Sequence, residues 1–162
     1  MPATGEADQR SGYRREVTTA HYDLDRFVAA QADGVYDRAL EELRRGMKRS
    51  HWMWFVFPQV AGLGHSSTSE WFAIASLDEA EAYLQHPVLG PRLVECACTV
   101  ADTSARSAEQ IFGGIDAQKL RSSMTLFHRA APQEPVFVRV LDRFFDGKPD
   151  ARTDQRLASG SS

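Results

Sequence analysis

Apolar residues in this chain recur mostly at helical spacing. Leu24, Phe27, Val28 and Gln31 follow one another on one face from about Asp23, and Gly34 ends that segment. Val35, Ala39, Leu40 and Leu43 repeat the pattern, with Asp37, Arg38, Glu41, Glu42 and Arg45 on other faces, and Gly46 stands where a helix would be capped. The densest apolar run, Trp52-Met53-Trp54-Phe55-Val56-Phe57, is stopped by Pro58. Taken alone, its aromatic and β-branched content suits a buried strand, while Ser50 could instead cap a short helix. A Gly/Ser-rich loop from Ala61 to Ser69 follows and leads into Trp71, Phe72 and Ile74.

Helical signals resume at Ser76-Leu77-Asp78-Glu79, which has the spacing of a capping box. The helix it opens contains Ala80, Tyr83 and Leu84 and ends before His86-Pro87. Pro87 suits the first position of a next helix, whose buried face is Leu89, Leu93, Cys96, Ala97 and Val100. Ser107 to Phe112 reads as a short helix ended by Gly113-Gly114, and Asp116 as the N-cap of a helix over 117–128 with Leu120, Met124 and Phe127 inward. A last helix over 136–145 presents Val136, Val140, Leu141, Phe144 and Phe145, with Gly147 closing it. No internal repeat is present. Six or more helices with short connectors predict an all-α fold, a compact multi-helix orthogonal bundle in a single domain over 22–149. Residues 1–21 are polar and charged and read as a disordered leader, and 150–162 as a loosely ordered tail.

Length and composition agree with this picture. The 162 residues, 43% hydrophobic and 25% charged, suffice for one ordinary core. A formal net charge of -3 and a pI of about 5.9 argue against broad binding to nucleic-acid backbone, which needs a basic face. Cys96 and Cys98 lie two apart and on a helix point to different sides, so they do not bridge each other comfortably, and a lone C-x-C is a weak metal signal. No apolar run is long enough to span a bilayer and no secretory h-region precedes the helices, so the expected location is the cytoplasm.

The string Ser50-His51-Trp52-Met53-Trp54-Phe55-Val56-Phe57-Pro58-Gln59, followed by Gly62-Leu63-Gly64 and Ser66, resembles the signature of the domain-of-unknown-function 1810 family. Asp25 to Gln31, Tyr83 to Gly90 and Ser122 to Phe127 agree with it, and the resemblance runs from about Tyr22 to Leu157. It implies an all-helical fold, and on that ground 52–57 is expected to be helical rather than extended. It brings no established activity. Some relatives carry the name calpastatin, but nothing in this chain looks like a protease-inhibitor repeat. Asp150-Ala151-Arg152-Thr153 resembles the family's closing motif, whereas Asp154-Gln155-Arg156 departs from its more apolar continuation.

Candidate chemistry gathers around the aromatic string. Arg44, Arg45, Lys48 and Arg49 precede it, and the Gly62-Leu63-Gly64 loop lets backbone N–H groups approach a ligand closely, with the hydroxyls of Ser66 to Ser69 beside it. There is no G-x-x-x-x-G-K-[ST] and no G-x-G-x-x-G, so a solvated basic helix end followed by a capped loop accounts for the same residues. Trp52, Trp54, Phe55 and Phe57, with Trp71 and Phe72, could form a stacking wall or serve as core. Two tryptophans at i and i+2 cannot share one helical face, so one of Trp52 and Trp54 is expected to meet a pocket, an interface or solvent. Of His51, His65, His86 and His128, His51 is the preferred acid/base candidate and His86 fits a turn hydrogen bond. No H-x-x-x-H spacing occurs, and no metal site or cofactor is assigned. Ser122, Ser123 and Thr125, beside Lys119 and Arg121, either face a polar ligand or bond back to the preceding turn. A G-x-S-x-G elbow is absent.

These residues lead to one expectation and one rival. The expectation is a pocket for a small anionic metabolite such as a nucleotide or phosphosugar. It would be built from Lys48, Arg49, His51, Gln59, Gly62, Gly64 and Ser66, with Trp52 or Trp54 as a wall and Ser122 and Ser123 as further polar contacts. The rival is an interaction module in which the aromatic segment forms a homodimer or partner surface without any small ligand.

Overall fold

The computed structural model describes residues 22–160, and the expected leader over 1–21 lies outside them. Among the described residues there are nine helices: α1 (Asp25–Ala30), α2 (Val35–Arg44), α3 (Met53–Val56), α4 (Ser67–Trp71), α5 (Leu77–Gln85), α6 (Leu89–Asp102), α7 (Ala108–Ala130), α8 (Pro135–Phe145) and α9 (Ala151–Gly160). The fold is all-α, as the periodicity predicts. One isolated parallel bridge, Val60 with Ile74, is the extended pairing seen among the described residues.

Helix α7 is central and packs against α5, α8 and α9, while α6 packs against α2, α5 and α8. Its amphipathic pattern is interrupted at Gly113, whose φ of 79° and ψ of 170° split it into segments over 108–112 and 114–130. Only the left-handed side of φ serves that turn, which is why glycine sits there. Asp116 is therefore inside the second segment rather than its N-cap. Ser107 caps the first segment instead, accepting from the Gln110 N–H at 3.0 Å. The aromatic string is helical over only one turn, Met53–Val56, because Pro58 removes the donor that continuation needs.

Two aromatic groups fill the core. Phe55, Phe72, Phe27, Tyr83, Phe127 and Phe137 form a chain of ring contacts with centroids 5.0–5.9 Å apart. Trp52, Phe57 and Phe112 form a second cluster at 6.1–6.4 Å. These spacings suit tilted and edge-to-face packing.

Polar side chains tie the irregular segment between α2 and α5 to this core. Arg26 donates to the carbonyls of Trp71 at 2.8 Å, Ala73 at 2.9 Å, Tyr22 and Asp23 at 2.7 Å, and to Glu79 Oε2 at 3.0 Å. The capping box at Ser76 is half formed. Ser76 Oγ accepts from the Glu79 N–H at 3.2 Å, but Glu79 Oε1 reaches the Ala75 N–H at 2.7 Å and its other oxygen takes Arg26. Gln31, also buried, donates to the Phe55 carbonyl at 2.8 Å and accepts from Arg92 at 3.1 Å.

Two end segments differ from expectation. Pro87 does not open α6; His86 Nδ1 accepts from the Val88 and Leu89 N–H groups at 3.1 and 3.2 Å, so the helix begins at Leu89. The C-terminal stretch expected to be loose from 150 is helix α9. Leu157 is its one large apolar side chain packed against the core and its other anchors are polar, so hydropathy carries little signal for it. Arg129 pairs with both Asp154 oxygens at 2.9 Å, and Thr125 Oγ1 accepts from the Asp150 N–H at 2.8 Å. Finally, Gly90 at the start of α6 lies so close to α5 that an added Cβ would stand 2.0 Å from the Leu84 carbonyl oxygen.

Backbone cannot yield as a flexible side chain does. Gly90→Ala is therefore expected to destabilise the protein by about 3 kcal/mol, read as a lower urea midpoint, whereas Gly114→Ala, which meets open space, should cost far less.

Candidate functional site

The loop between α3 and α5 leaves the bundle and returns to it. Its two legs are joined where the Ala61 N–H donates to the Ile74 carbonyl at 2.8 Å and the Ile74 N–H to the Gln59 carbonyl at 2.9 Å. Within the excursion, Ser66 caps α4 by accepting from the Ser69 N–H at 3.1 Å. Between this loop, α7 and the start of α9 lies a cleft of about 400 Å³ lined by Gln59, Leu63, Gly64, Ser69, Ile115, Gln118, Lys119, Ser122, Asp150 and Arg152. An inner chamber of about 110 Å³ adjoins it, sharing Gln59, Gly64 and Ser69 and reaching Trp54, Gly62 and Phe72.

Helix α9 holds the glycine loop from outside. Arg156 Nε donates to the Ala61 carbonyl at 3.1 Å, and Arg152 to the Leu63 carbonyl at 3.3 Å. Gly62, at φ 96°, lies under the Arg156 guanidinium, where a Cβ would come within 2.5 Å. Asp150 caps α9, its Oδ2 accepting from the Thr153 N–H at 2.9 Å and hydroxyl at 2.7 Å.

The charges in the cleft come from these elements. Lys48 and Lys119 share one carboxylate, Asp116, at 3.0 and 3.6 Å. Two ammonium groups on one carboxylate leave a positive excess. Lys119 also lies over the Trp54 ring, 4.9 Å from its centroid, and itself lines the cleft. Arg152 adds a guanidinium whose partner among the described residues is the neutral Leu63 carbonyl.

The structure divides the residues singled out from sequence. Gln59, Gly64 and Ser122 line the cleft, and Trp54 and Gly62 the inner chamber. Lys48 is held by Asp116 and lines neither space, and Arg49, His51 and Ser66 are exposed outside both. Trp52 is core at 1% exposure, and Ser123 is wholly buried, its hydroxyl unpartnered among the described residues. Ser122 Oγ bonds back to the Gln118 carbonyl at 3.1 Å, the local alternative.

The basic run Arg44, Arg45, Lys48 and Arg49 does not converge. Arg44 meets Glu95 at 3.9 Å, Arg45 meets Glu41 at 2.9 Å, and Lys48 meets Asp116. Sequence reasoning missed Lys119, Gln118, Asp150 and Arg152 as cleft residues. The Asp150-Ala151-Arg152-Thr153 motif was the signal available for two of them.

Arg49 to Trp52 have a different role. The Glu42 carboxylate is 8% exposed and accepts from the Arg49 N–H at 2.8 Å, the Ser50 N–H at 3.1 Å, the Ser50 hydroxyl at 2.6 Å and the Trp52 indole at 2.8 Å. Burial alone would push its pKa up. The Ser50 hydroxyl, the two backbone donors and the indole outweigh burial and hold it at about 2. Cys96, by contrast, is pushed up to about 12, chiefly by burial, and is a thiol at neutral pH. Among the described residues no group of three His, Cys, Asp or Glu side chains is placed to hold a metal ion. No helix among them is long and apolar enough to cross a membrane.

The fold and cleft define a small helical protein with a polar cavity closed by its last helix. The chain belongs to the family described as "Protein of unknown function (DUF1810)", whose model matches residues 21–157. None of the curated proteins matches it. It is similar to a solved structure, the conserved hypothetical protein Rv1873 from Mycobacterium tuberculosis. The two are 54% identical, with a TM-score of 0.82 over 85% of this chain and 97% of that one.

Glu42 also sets an acid limit. Its folded pKa lies below the ordinary 4.5, so its stabilisation is full above that value and is lost as pH falls toward about 2. By linkage the shift is worth on the order of 3 kcal/mol. Glu42→Gln is expected to lower stability at pH 7 by about that amount and to flatten the dependence between pH 4.5 and 2, measured by denaturant unfolding at each pH.

Proposed function

We propose that this protein binds a small anionic metabolite, in the range of nucleotides and phosphosugars, in the cleft between the 59–72 loop, α7 and α9. The observation that carries this reading is the placing of Lys119 and Arg152 on one cavity whose other lining is two amides, two hydroxyls, the Asp150 carboxylate, Gly64 and the aliphatic Leu63 and Ile115. A concave site with a few convergent polar groups is the usual form of a small-molecule site. Lys119 and Arg152 replace Lys48 and Arg49 as the anion partners, and His51 has no place in it. The cleft brings no nucleophile and base together, so binding is the reading supported and a reaction is not assigned.

The interaction reading rests on one observation, the exposure of Trp71 at 58%, among the largest of any big apolar side chain described. Exposed tryptophans anchor interfaces.

A metabolite panel followed by thermal unfolding separates the two. A ligand present at 100 times its dissociation constant should add about 2.7 kcal/mol, a shift of several degrees. Lys119→Met and Arg152→Met should abolish the shift, and His51→Ala should leave it intact. An unshifted panel, together with concentration-dependent assembly that Trp71→Ala removes, would replace the binding reading with the interface.

A further inference from the structure

Taking the binding reading as its starting point, the lining of the cleft narrows the class of ligand. A nucleotide base is ordinarily held by stacking on an aromatic face. No aromatic side chain lines the 400 Å³ cleft among the described residues. Trp52 is enclosed by Phe57 and Phe112, with the Lys48 ammonium 5.2 Å from its ring centroid. Trp54 lines the inner chamber rather than the cleft, and its ring is already covered by Lys119. At about 110 Å³ the inner chamber is too small for a nucleoside. Of the two tryptophans expected as a wall, Trp52 is core and Trp54 stands behind an ammonium group, and Trp71 lines neither space.

What the cleft offers instead is hydroxyl recognition beside a single anion site. A carboxylate only accepts hydrogen bonds, and an amide both donates and accepts, so this combination suits alcohol groups. Asp150 commits Oδ2 to Thr153, and Oδ1 has no partner among the described residues. Gln118 is exposed, and Gln59 forms the opposite wall. The positive charge is modest. Lys119 shares Asp116 with Lys48, Arg152 is unshared, and Asp150 offsets part of the sum. That balance fits one phosphate group and opposes a polyphosphate.

We propose that the cleft takes a phosphomonoester of a non-aromatic polyol, a sugar phosphate, with the phosphate on Lys119 and Arg152 and the hydroxyls on Asp150, Gln118 and Gln59. Ile115, 78% exposed at the rim, meets the apolar face of the sugar ring.

Calorimetric titration of the full chain with ribose 5-phosphate, glucose 6-phosphate, AMP and inorganic phosphate tests this. One of the sugar phosphates is expected to bind at least about tenfold tighter than AMP or inorganic phosphate. Asp150→Asn keeps an acceptor for the α9 cap, and Gln118→Ala changes an exposed position. Each should weaken the sugar phosphate by about tenfold or more without weakening inorganic phosphate, and Asp150→Asn, which removes a negative charge from the cleft, should tighten it. Lys119→Met should weaken both ligands. Tighter binding of AMP, or of another anion in the metabolite panel with neither sugar phosphate bound, overturns this assignment and leaves the binding reading standing. Equal loss of sugar phosphate and inorganic phosphate in both Asp150→Asn and Gln118→Ala also overturns it. Failure of these four ligands and of the whole panel overturns both.

Discussion

A carboxylate with four donors and, among the described residues, no cation sets the course of the least regular third of this protein. Glu42 sits at the end of α2, and its oxygens gather the Arg49 and Ser50 amides, the Ser50 hydroxyl and the Trp52 indole. A buried charge is tolerable only when its hydrogen bonding is saturated, and this one needs the turn after α2 to fold back upon it. That turn delivers Trp52 to the core and starts α3. Gln31 then seizes the Phe55 carbonyl, and Arg26 the carbonyls of Trp71 and Ala73. The loop that forms the cleft wall thus hangs from three side chains: Arg26 on α1, Gln31 at its end and Glu42 on α2.

Helices with an apolar stripe were legible in the chain because their partners are decided by local period. Leu89, Leu93, Cys96, Ala97 and Val100 are all buried on α6. The cleft was only partly legible. Gln59, Gly64 and Ser122 were singled out, and they do line it. The cations nearest the aromatic string in sequence do not line the cleft, because nearness in sequence is not nearness in space. Lys48 and Arg49 stand beside the aromatic string, yet Lys48 faces Asp116. The glycine loop is partnered instead by Arg156 and by Arg152, the latter 89 residues from Leu63. No periodicity reports a contact of that range. A helix such as α9, held by Arg129–Asp154 and the Thr125 hydroxyl instead of an apolar stripe, also carries little hydropathy signal.

The most distinctive string in the sequence proved to be chiefly scaffold. Tryptophan at 52 is needed for its indole N–H as much as for its area, since Glu42 has no other ring donor. Ser50 supplies both a hydroxyl and an amide to the same oxygens. A rare residue in a fixed setting can therefore mark a demanding piece of architecture, with cleft-lining residues such as Gln59 and Gly64 a short way downstream. Trp54 alone of the pair reaches a cavity, and it does so behind Lys119.

The latching of the glycine loop by α9 bears on how the molecule comes together and opens. Arg156 and Ala61 are separated by 95 residues, so the cleft is sealed by one of the longest-range contacts in the chain and closes late along any folding route. The latch is also polar and largely solvent-exposed. Contacts of that kind belong to the low-stability end of a protein's opening free energies. Transient undocking of α9 would bare the cleft while the aromatic core under α5, α6 and α8 stayed intact, so amide exchange in the glycine loop would follow the fraying of α9 rather than global unfolding.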